Sequence, residues 1–250
     1  MSEHVALVTG AASGFGRALT QTLARRGVHV LAVDVDEEGG RATVADAGEG
    51  TRFVRCDVSD PEQNHAAVAA AVDAFGGLDL AFLNAGIVSG TWPGESFDLE
   101  AYRRAMGVNL DGVVFGINAV LPAMKARGGG SIVATASLAG LTPVPMDPFY
   151  AANKHAVVGL VRSLGPALVA DGIRINAVCP GFAETAIIAP IREGLTGQGL
   201  PIIPVQDVID TVMTLLDGDM SGECWFVQAG RESQPFGFRR IPGPRGAPAA

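Results

Sequence analysis

The chain has 250 residues, 48% of them hydrophobic and only 18% charged, with 26 acidic side chains against 18 basic and a formal net charge of −8. This length and composition suit one large α/β domain or two small ones and exclude general disorder. The acidic balance excludes the basic field that draws in nucleic acid, and no run approaches the ~18 apolar residues of a membrane span.

Met1-Ser2-Glu3-His4 has no cationic segment leading into an apolar stretch, so a secretory signal is not expected and the reading is cytoplasmic. Cys56, Cys179 and Cys224 are isolated in or beside apolar, strand-like runs, and read as small core residues rather than a disulfide framework or metal site. The low charge suggests that apolar surface is buried between subunits.

Val5–Thr9 is a short apolar run that stops at Gly10, the pattern of a buried parallel strand followed by a turn. Phe15 to Arg26 carries Leu19 and Leu23 four apart, a helix stopped by Gly27. Val28 to Val33 predicts a second strand ending at Asp34, Glu37–Ala47 a weaker helix, and Arg52 to Cys56 a third strand ending at Asp57. Pro61, behind Ser59-Asp60, opens a helix that runs to Phe75. Leu78 to Leu83 is the fourth strand and leads into Asn84-Ala85-Gly86; a long helix follows from Leu99 to Ala126. Ser131 to Thr135 is the fifth strand and delivers Ser137. A helix from Phe149 to Ala170 contains Gly165-Pro166, a local conflict, because an interior proline removes a helical hydrogen bond. Ile173 to Val178 is the sixth strand, ending in Pro180-Gly181; Val205 to Leu216 is helical and Cys224–Val227 is a last strand.

This alternation predicts one doubly wound parallel sheet of about seven strands with helices on both faces. Residues 1–236 form the predicted domain. Ala183 to Pro204 breaks the pattern and reads as a lid or binding loop. Gly237 to Ala250, with Pro242, Pro244 and Pro248, reads as a tail without regular structure, frayed or draped on a partner.

Thr9-Gly10-Ala11-Ala12-Ser13-Gly14-Phe15-Gly16 joins a strand to a helix. Glycines let the backbone turn sharply and approach a pyrophosphate, whose charge the helix N-terminus favours. Asp34, at the end of the second strand, can accept hydrogen bonds from an adenosine ribose and repels a 2′-phosphate. No Arg or Lys stands at Ala12, Ser13 or Val35, which favours NAD over NADP. Asp57, followed by Val58, either meets the adenine or caps a turn. Tyr150 and Lys154 are four apart, hence on one helix face. An ammonium there lowers the pKa of a phenol and moves it toward proton transfer, and Ser137 can hydrogen-bond the same substrate oxygen. Asn109 within a helix either bends it and holds a water beside Lys154 or is a cap or surface residue.

These motifs, in this order, resemble the short-chain dehydrogenase/reductase family over residues 5 to about 230, and so imply a single-domain Rossmann fold. The resemblance implies a catalytic set of Asn109, Ser137, Tyr150 and Lys154. Tyr150 would be the acid/base, Ser137 would orient the substrate oxygen, Lys154 would bind the nicotinamide ribose, and Asn109 would hold a relay water. It also implies cofactor contacts from Asn84-Ala85-Gly86, Pro180-Gly181-Phe182 and Thr185. Ser137-Leu138-Ala139-Gly140-Leu141, Lys154-His155 and Thr185-Ala186-Ile187 are similar to the NAD-dependent hydroxyprostaglandin dehydrogenases, but Asp147 stands where those carry glutamine. The expected enzyme uses NAD(H) on a secondary alcohol or ketone, in an apolar pocket lined by Val144, Met146, Asp147, Phe149, Phe182, Ile187, Ile188 and Ile191; each of these alone could equally be core. The rivals are an NADPH-dependent 3-oxoacyl carrier-protein reductase and a non-catalytic NAD-binding protein. The expected assembly is a homotetramer or homodimer through the helices at 99–126 and 149–170, with the last strand and tail as a second contact.

Overall fold

A computed structural model describes residues 4–239. Among the described residues, seven parallel strands and one short antiparallel one form a single sheet in the order β3-β2-β1-β4-β5-β6-β7-β8. They are β1 (Val5–Thr9), β2 (His29–Asp34), β3 (Thr51–Arg55), β4 (Leu80–Leu83), β5 (Gly130–Thr135), β6 (Ile173–Pro180), β7 (Cys224–Val227) and β8 (Gln234–Pro235). The helices are α1 (Gly14–Arg25), α2 (Glu37–Ala47), α3 (Pro61–Phe75), α4 (Leu99–Met106), α5 (Gly112–Arg127), α6 (Pro148–Leu168), α7 (Arg192–Gly197) and α8 (Val205–Asp217).

The order reverses between β1 and β4, and ligands of such sheets bind in the crevice at the carboxyl ends of the strands flanking that point. The central strands are apolar on both faces because helices cover both. Val68 of α3, Val113 and Val120 of α5 and Val157 and Val161 of α6 pack on one side. Leu19 and Leu23 of α1 and Val208 and Val212 of α8 pack on the other. All three cysteines are buried.

Three features differ from the sequence expectations and a fourth gives one of them its geometry. The sheet has an eighth strand; two residues ending in Pro235 are too short to carry a period-two signal, and proline sits at such an edge because it cannot donate to a ladder. The segment 183–204 is not structureless. Ala189–Ile191 forms a 3-10 turn and α7 follows; Leu195 is buried, Ala183 bridges Ile203, and Arg192 Nε donates to Glu184 Oε1 at 2.8 Å. The long helix is apolar and long enough to cross a membrane by length and composition, yet Val113, Ile117, Val120 and Met124 are core residues. Its middle, Gly107–Asp111, is a π turn around Asn109, so the expected bend has a specific geometry.

The Gly165-Pro166 conflict also resolves. Helix α6 runs through Pro166 and ends at Leu168, so the bond that Pro166 cannot give to the Arg162 carbonyl is lost only two residues before the helix stops. Gly165 is there for packing: a Cβ on it would overlap the backbone Cα and N of Gly222. The Ser221 hydroxyl donates to the Gly165 carbonyl at 3.2 Å, fixing the loop before β7 against the helix. Gly165→Ala forces backbone from backbone and is expected to destabilise by about 2–3 kcal/mol, read as a drop in urea midpoint at unchanged m-value.

Of the predicted tail, Phe238 packs on its own chain, with the Arg162 guanidinium 3.6 Å from its ring centroid, so that part folds back instead of fraying. Residues 240–250 lie outside the described residues.

Candidate active site

Thr9 ties the switch point together. Its hydroxyl accepts the N–H of Asn84 at 2.8 Å and of Ala85 at 3.1 Å, and Asn84 Nδ2 donates to the Thr9 carbonyl at 3.1 Å. Thr135, ending β5, donates to Asn84 Oδ1 at 3.1 Å. The glycine-rich turn, Asn84-Ala85-Gly86 and the Ser137 strand are thus one hydrogen-bonded unit.

The turn itself fits a dinucleotide. Gly10 has φ +65 and Gly14 φ +49, conformations that favour glycine. A Cβ at Gly16 would overlap the Gly10 carbonyl oxygen, so helix and turn meet more closely than any side chain allows. Ser13 caps α1 without a side-chain hydrogen bond and the first turn holds no acidic residue, which leaves the helix N-terminus suited to a phosphate. Phe15 turns instead toward the apolar layer under α1 and α8. Asp34 Oδ2 accepts the Ala12 N–H at 2.9 Å and its Oδ1 the Asp36 N–H at 3.0 Å, so the carboxylate is held beside the turn. Asp57 Oδ1 accepts from the Ser59 N–H and hydroxyl at 3.0 and 2.7 Å, which is the turn-capping alternative, and Val58 is buried against Gly112.

The four expected catalytic residues converge. Lys154 is 2% exposed and its Nζ donates to the Thr135 carbonyl at 2.7 Å. A Cβ on Gly86 would lie 3.3 Å from Asn109 Oδ1 and 3.6 Å from Lys154 Nζ, which puts all three in contact range. Asn109 is fully buried; its amide donates to the Ile87 carbonyl and accepts the Ile87 N–H, both at 2.8 Å. Its side chain is therefore a brace for the loop after β4. Ser137 donates to the Pro180 carbonyl at 3.3 Å and accepts from Ala139 N–H at 3.1 Å, and it stands close enough to the Tyr150 phenol to act against the rise of its pKa.

The expected electrostatics need correction. Burial pushes the Tyr150 phenol up to about 12, against the pull of the Ser137 hydrogen bond. Burial also brings Lys154 down to about 8. The lysine Nζ stands 5.6 Å from the tyrosine ring centroid, and the phenol's shift is set by burial and the Asp147 charge against the Ser137 bond.

The expected pocket residues divide. Met146 (67% exposed), Ile187 (42%) and Ile191 (46%) present apolar surface, whereas Ile188 is buried. Val144 and Phe182 are partly buried, and the Phe182 carbonyl closes the base of the 183–204 segment by accepting the Ile203 N–H at 2.7 Å. Thr185 closes on the turn, its Cγ2 3.3 Å from the place of a Gly14 Cβ. Gly181 is packed between Leu138 and Ile203. Phe149 stacks into an aromatic cluster with Tyr102 and Phe97 at 5.2 and 5.7 Å between centroids. Asp147 is not a free acid in the pocket: it caps α6 through the Tyr150 N–H at 3.0 Å and bonds Ser89. The loop of Val88, Ser89 and Trp92, which that bond brings beside residues 144–150, was not among the expected lining. Exposed Val88 and Trp92 in a Gly-rich loop directly after Asn84-Ala85-Gly86 were the available signal.

Residues 4–196 match the family model described as short chain dehydrogenase. The chain belongs to that family. Among its relatives is the cyclohexanol dehydrogenase of Acinetobacter sp. (strain SE19), 38% identical over 226 residues, covering 88% of this chain and 90% of that one. The 15-hydroxyprostaglandin dehydrogenase [NAD(+)] of Homo sapiens is 38% identical over 199 residues, covering 76% and 71%. The crystal structure of levodione reductase superposes with a TM-score of 0.84 at 32% identity, covering 92% of this chain and 98% of that one. As a short-chain dehydrogenase the protein is an oxidoreductase of alcohol/ketone substrates that uses a nicotinamide cofactor.

Proposed function

We propose that this short-chain dehydrogenase uses NAD(H) to interconvert an alicyclic secondary alcohol and its ketone. The observation that carries the reading is the convergence of Ser137, Tyr150 and Lys154 beside the glycine-rich turn, at the carboxyl edge of the sheet. A bound nicotinamide supplies or accepts the hydride at the carbinol carbon. Gly10, Ser13, Gly14, Gly16, Asp34, Asn84 and Thr185 would hold the dinucleotide, with Lys154 at its nicotinamide ribose. The chain's own residues handle the proton. The Tyr150 hydroxyl gives it to the ketone oxygen or takes it from the alcohol, and the Ser137 hydroxyl turns from the Pro180 carbonyl to the same oxygen. Lys154 keeps a positive charge near that oxygen while it carries negative charge.

Asp34 supports NAD over NADP, because a fixed carboxylate beside the turn repels a 2′-phosphate. The apolar surfaces of Met146, Ile187, Ile191, Val88 and Trp92 support a hydrophobic substrate, and cyclohexanol, named for one relative, supports an alicyclic one. Residues 1–236 are proposed as one dinucleotide-binding domain with 183–204 as its lid, acting in the cytoplasm. A dimer or tetramer is proposed because α5 exposes Val114 and the turn directly after α6 exposes Val169.

The test is absorbance of reduced nicotinamide with cyclohexanol and larger alicyclic alcohols. NAD is expected to support turnover and NADP not. In Asp34→Ala, kcat/KM with NAD should fall about ten- to a hundredfold, the worth of hydrogen bonds to a charged group, while that with NADP rises. Equal use of both cofactors by the wild type would refute the cofactor assignment.

A further inference from the structure

Asp147 and Ser89 form a clamp for which the reaction as described has no use. Asp147 Oδ1 accepts the Ser89 hydroxyl at 2.5 Å and the Tyr150 N–H at 3.0 Å; Oδ2 accepts the Ser89 N–H at 2.9 Å. Ser89 is 1% exposed and its hydroxyl also reaches the Thr91 carbonyl at 3.1 Å. One carboxylate therefore binds the first turn of α6 to the loop after β4. That loop is held from its other side by Asn109 through Ile87, and it begins with Asn84-Ala85-Gly86 at the switch point. A helix cap needs only the bond to Tyr150 N–H; charge-assisted bonds to both polar groups of a buried serine far away in sequence exceed that need.

We propose that Asp147, through Ser89, is a positioning residue that sets where the Tyr150 phenol stands relative to the loop after β4. The inference rests on the proposed function, since it assigns a role relative to Tyr150 as acid/base. Tyr150 is faced by Lys154 one turn along α6, Ser137 after β5 and Asp147 at the cap; Cys179 of β6 stands behind Lys154, and Tyr102 of α4 packs on neighbouring Phe149. Burial is the main reason for the raised phenol, the Ser137 bond opposes it, and the Asp147 charge adds to the rise. A clamp error is amplified at the reacting atoms, because small displacements of a proton donor cost rate steeply.

Two variants separate the clamp from the charge. Ser89→Ala keeps the carboxylate and cuts its anchor; Asp147→Asn removes the charge and sets an amide NH2 against a serine donor. Amide exchange read by mass spectrometry should speed up over residues 147–152 in Ser89→Ala, a response independent of catalysis. Its kcat should fall about tenfold with the cofactor Kd and the midpoint of the pH profile unchanged. In Asp147→Asn, kcat should fall similarly and the rise of alcohol oxidation should move to lower pH, because a charge that opposed phenolate is gone. The double variant should be no slower than Asp147→Asn, since both cut one linkage. A simple helix cap would lower thermal stability in Asp147→Asn and leave both amide exchange and kcat of Ser89→Ala as in wild type. Unchanged exchange or unchanged kcat in Ser89→Ala overturns the proposal. If Tyr150→Phe is inactive while both clamp variants behave as wild type, the clamp alone is wrong; if Tyr150→Phe turns over normally, the proposed function is wrong and the clamp falls with it.

Discussion

Tyr150→Phe is expected to lower kcat by about 10²- to 10⁴-fold, the usual worth of a positioned acid/base, while leaving dinucleotide affinity and fold intact. The substitution removes one hydroxyl from a partly buried residue whose backbone N–H stays capped by Asp147, so the helix has no reason to move. The direction of catalysis follows from the environment. With the phenol pushed up to about 12, the neutral form dominates at neutral pH, and that form donates a proton to a ketone. Alcohol oxidation needs the phenolate, whose fraction below the pKa grows about tenfold per pH unit. Ketone reduction should therefore be favoured near neutral pH, and alcohol oxidation should climb only to about pH 8, above which Lys154 sheds the proton whose charge supports the reacting oxygen. Initial rates in both directions between about pH 6 and 10, for wild type and variant, check both statements. A variant retaining more than about a tenth of wild-type kcat would remove Tyr150 from the proton path.

Most of the fold was legible because its signals are local. Strands ending at Thr9, Asp34 and Leu83 are apolar runs stopped by turn residues, and α3 announces itself with Asp60-Pro61, whose carboxylate accepts from Glu62 N–H at 2.8 Å. The doubly wound parallel sheet followed from the alternation of elements. What stayed hidden depends on distant partners. Gly165 looked like a helix defect because Gly222, whose backbone occupies the space of the missing side chain, is far along the chain. Asp147 looked like a pocket acid because the serine that binds it follows a different strand. The sign of the Tyr150 shift was hidden for a related reason. The spacing to Lys154 suggests an attraction, whereas the desolvation that dominates arises from the packing around the ring.

Lys154→Met should separate function from stability. Lys154 is almost fully buried, and its hydrogen bond to the Thr135 carbonyl at 2.7 Å does not replace hydration of an ammonium. Burial lowers its pKa from 10.5 to about 8, with Cys179 opposing slightly. The sign follows from proton counting. Between about pH 8 and 10.5 the unfolded chain binds a proton that the folded one has shed, so stability rises with pH through that window. Below about pH 8 both states are protonated and the full penalty, about 3 kcal/mol, stands. Methionine removes that penalty but leaves the Thr135 carbonyl without its donor, at a cost of about 1–3 kcal/mol. The variant is thus expected to be as stable as wild type or up to about 2 kcal/mol more stable at pH 7, with the advantage shrinking as pH rises to about 10. Its kcat should fall by about 10²-fold or more, because the positive charge beside the reacting oxygen is lost. Urea unfolding at about pH 7 and pH 10 checks the first part and steady-state rates the second. A variant less stable than wild type at about pH 7 and more stable at about pH 10 would reverse the sign and show that the ammonium is better solvated in the fold than its burial implies.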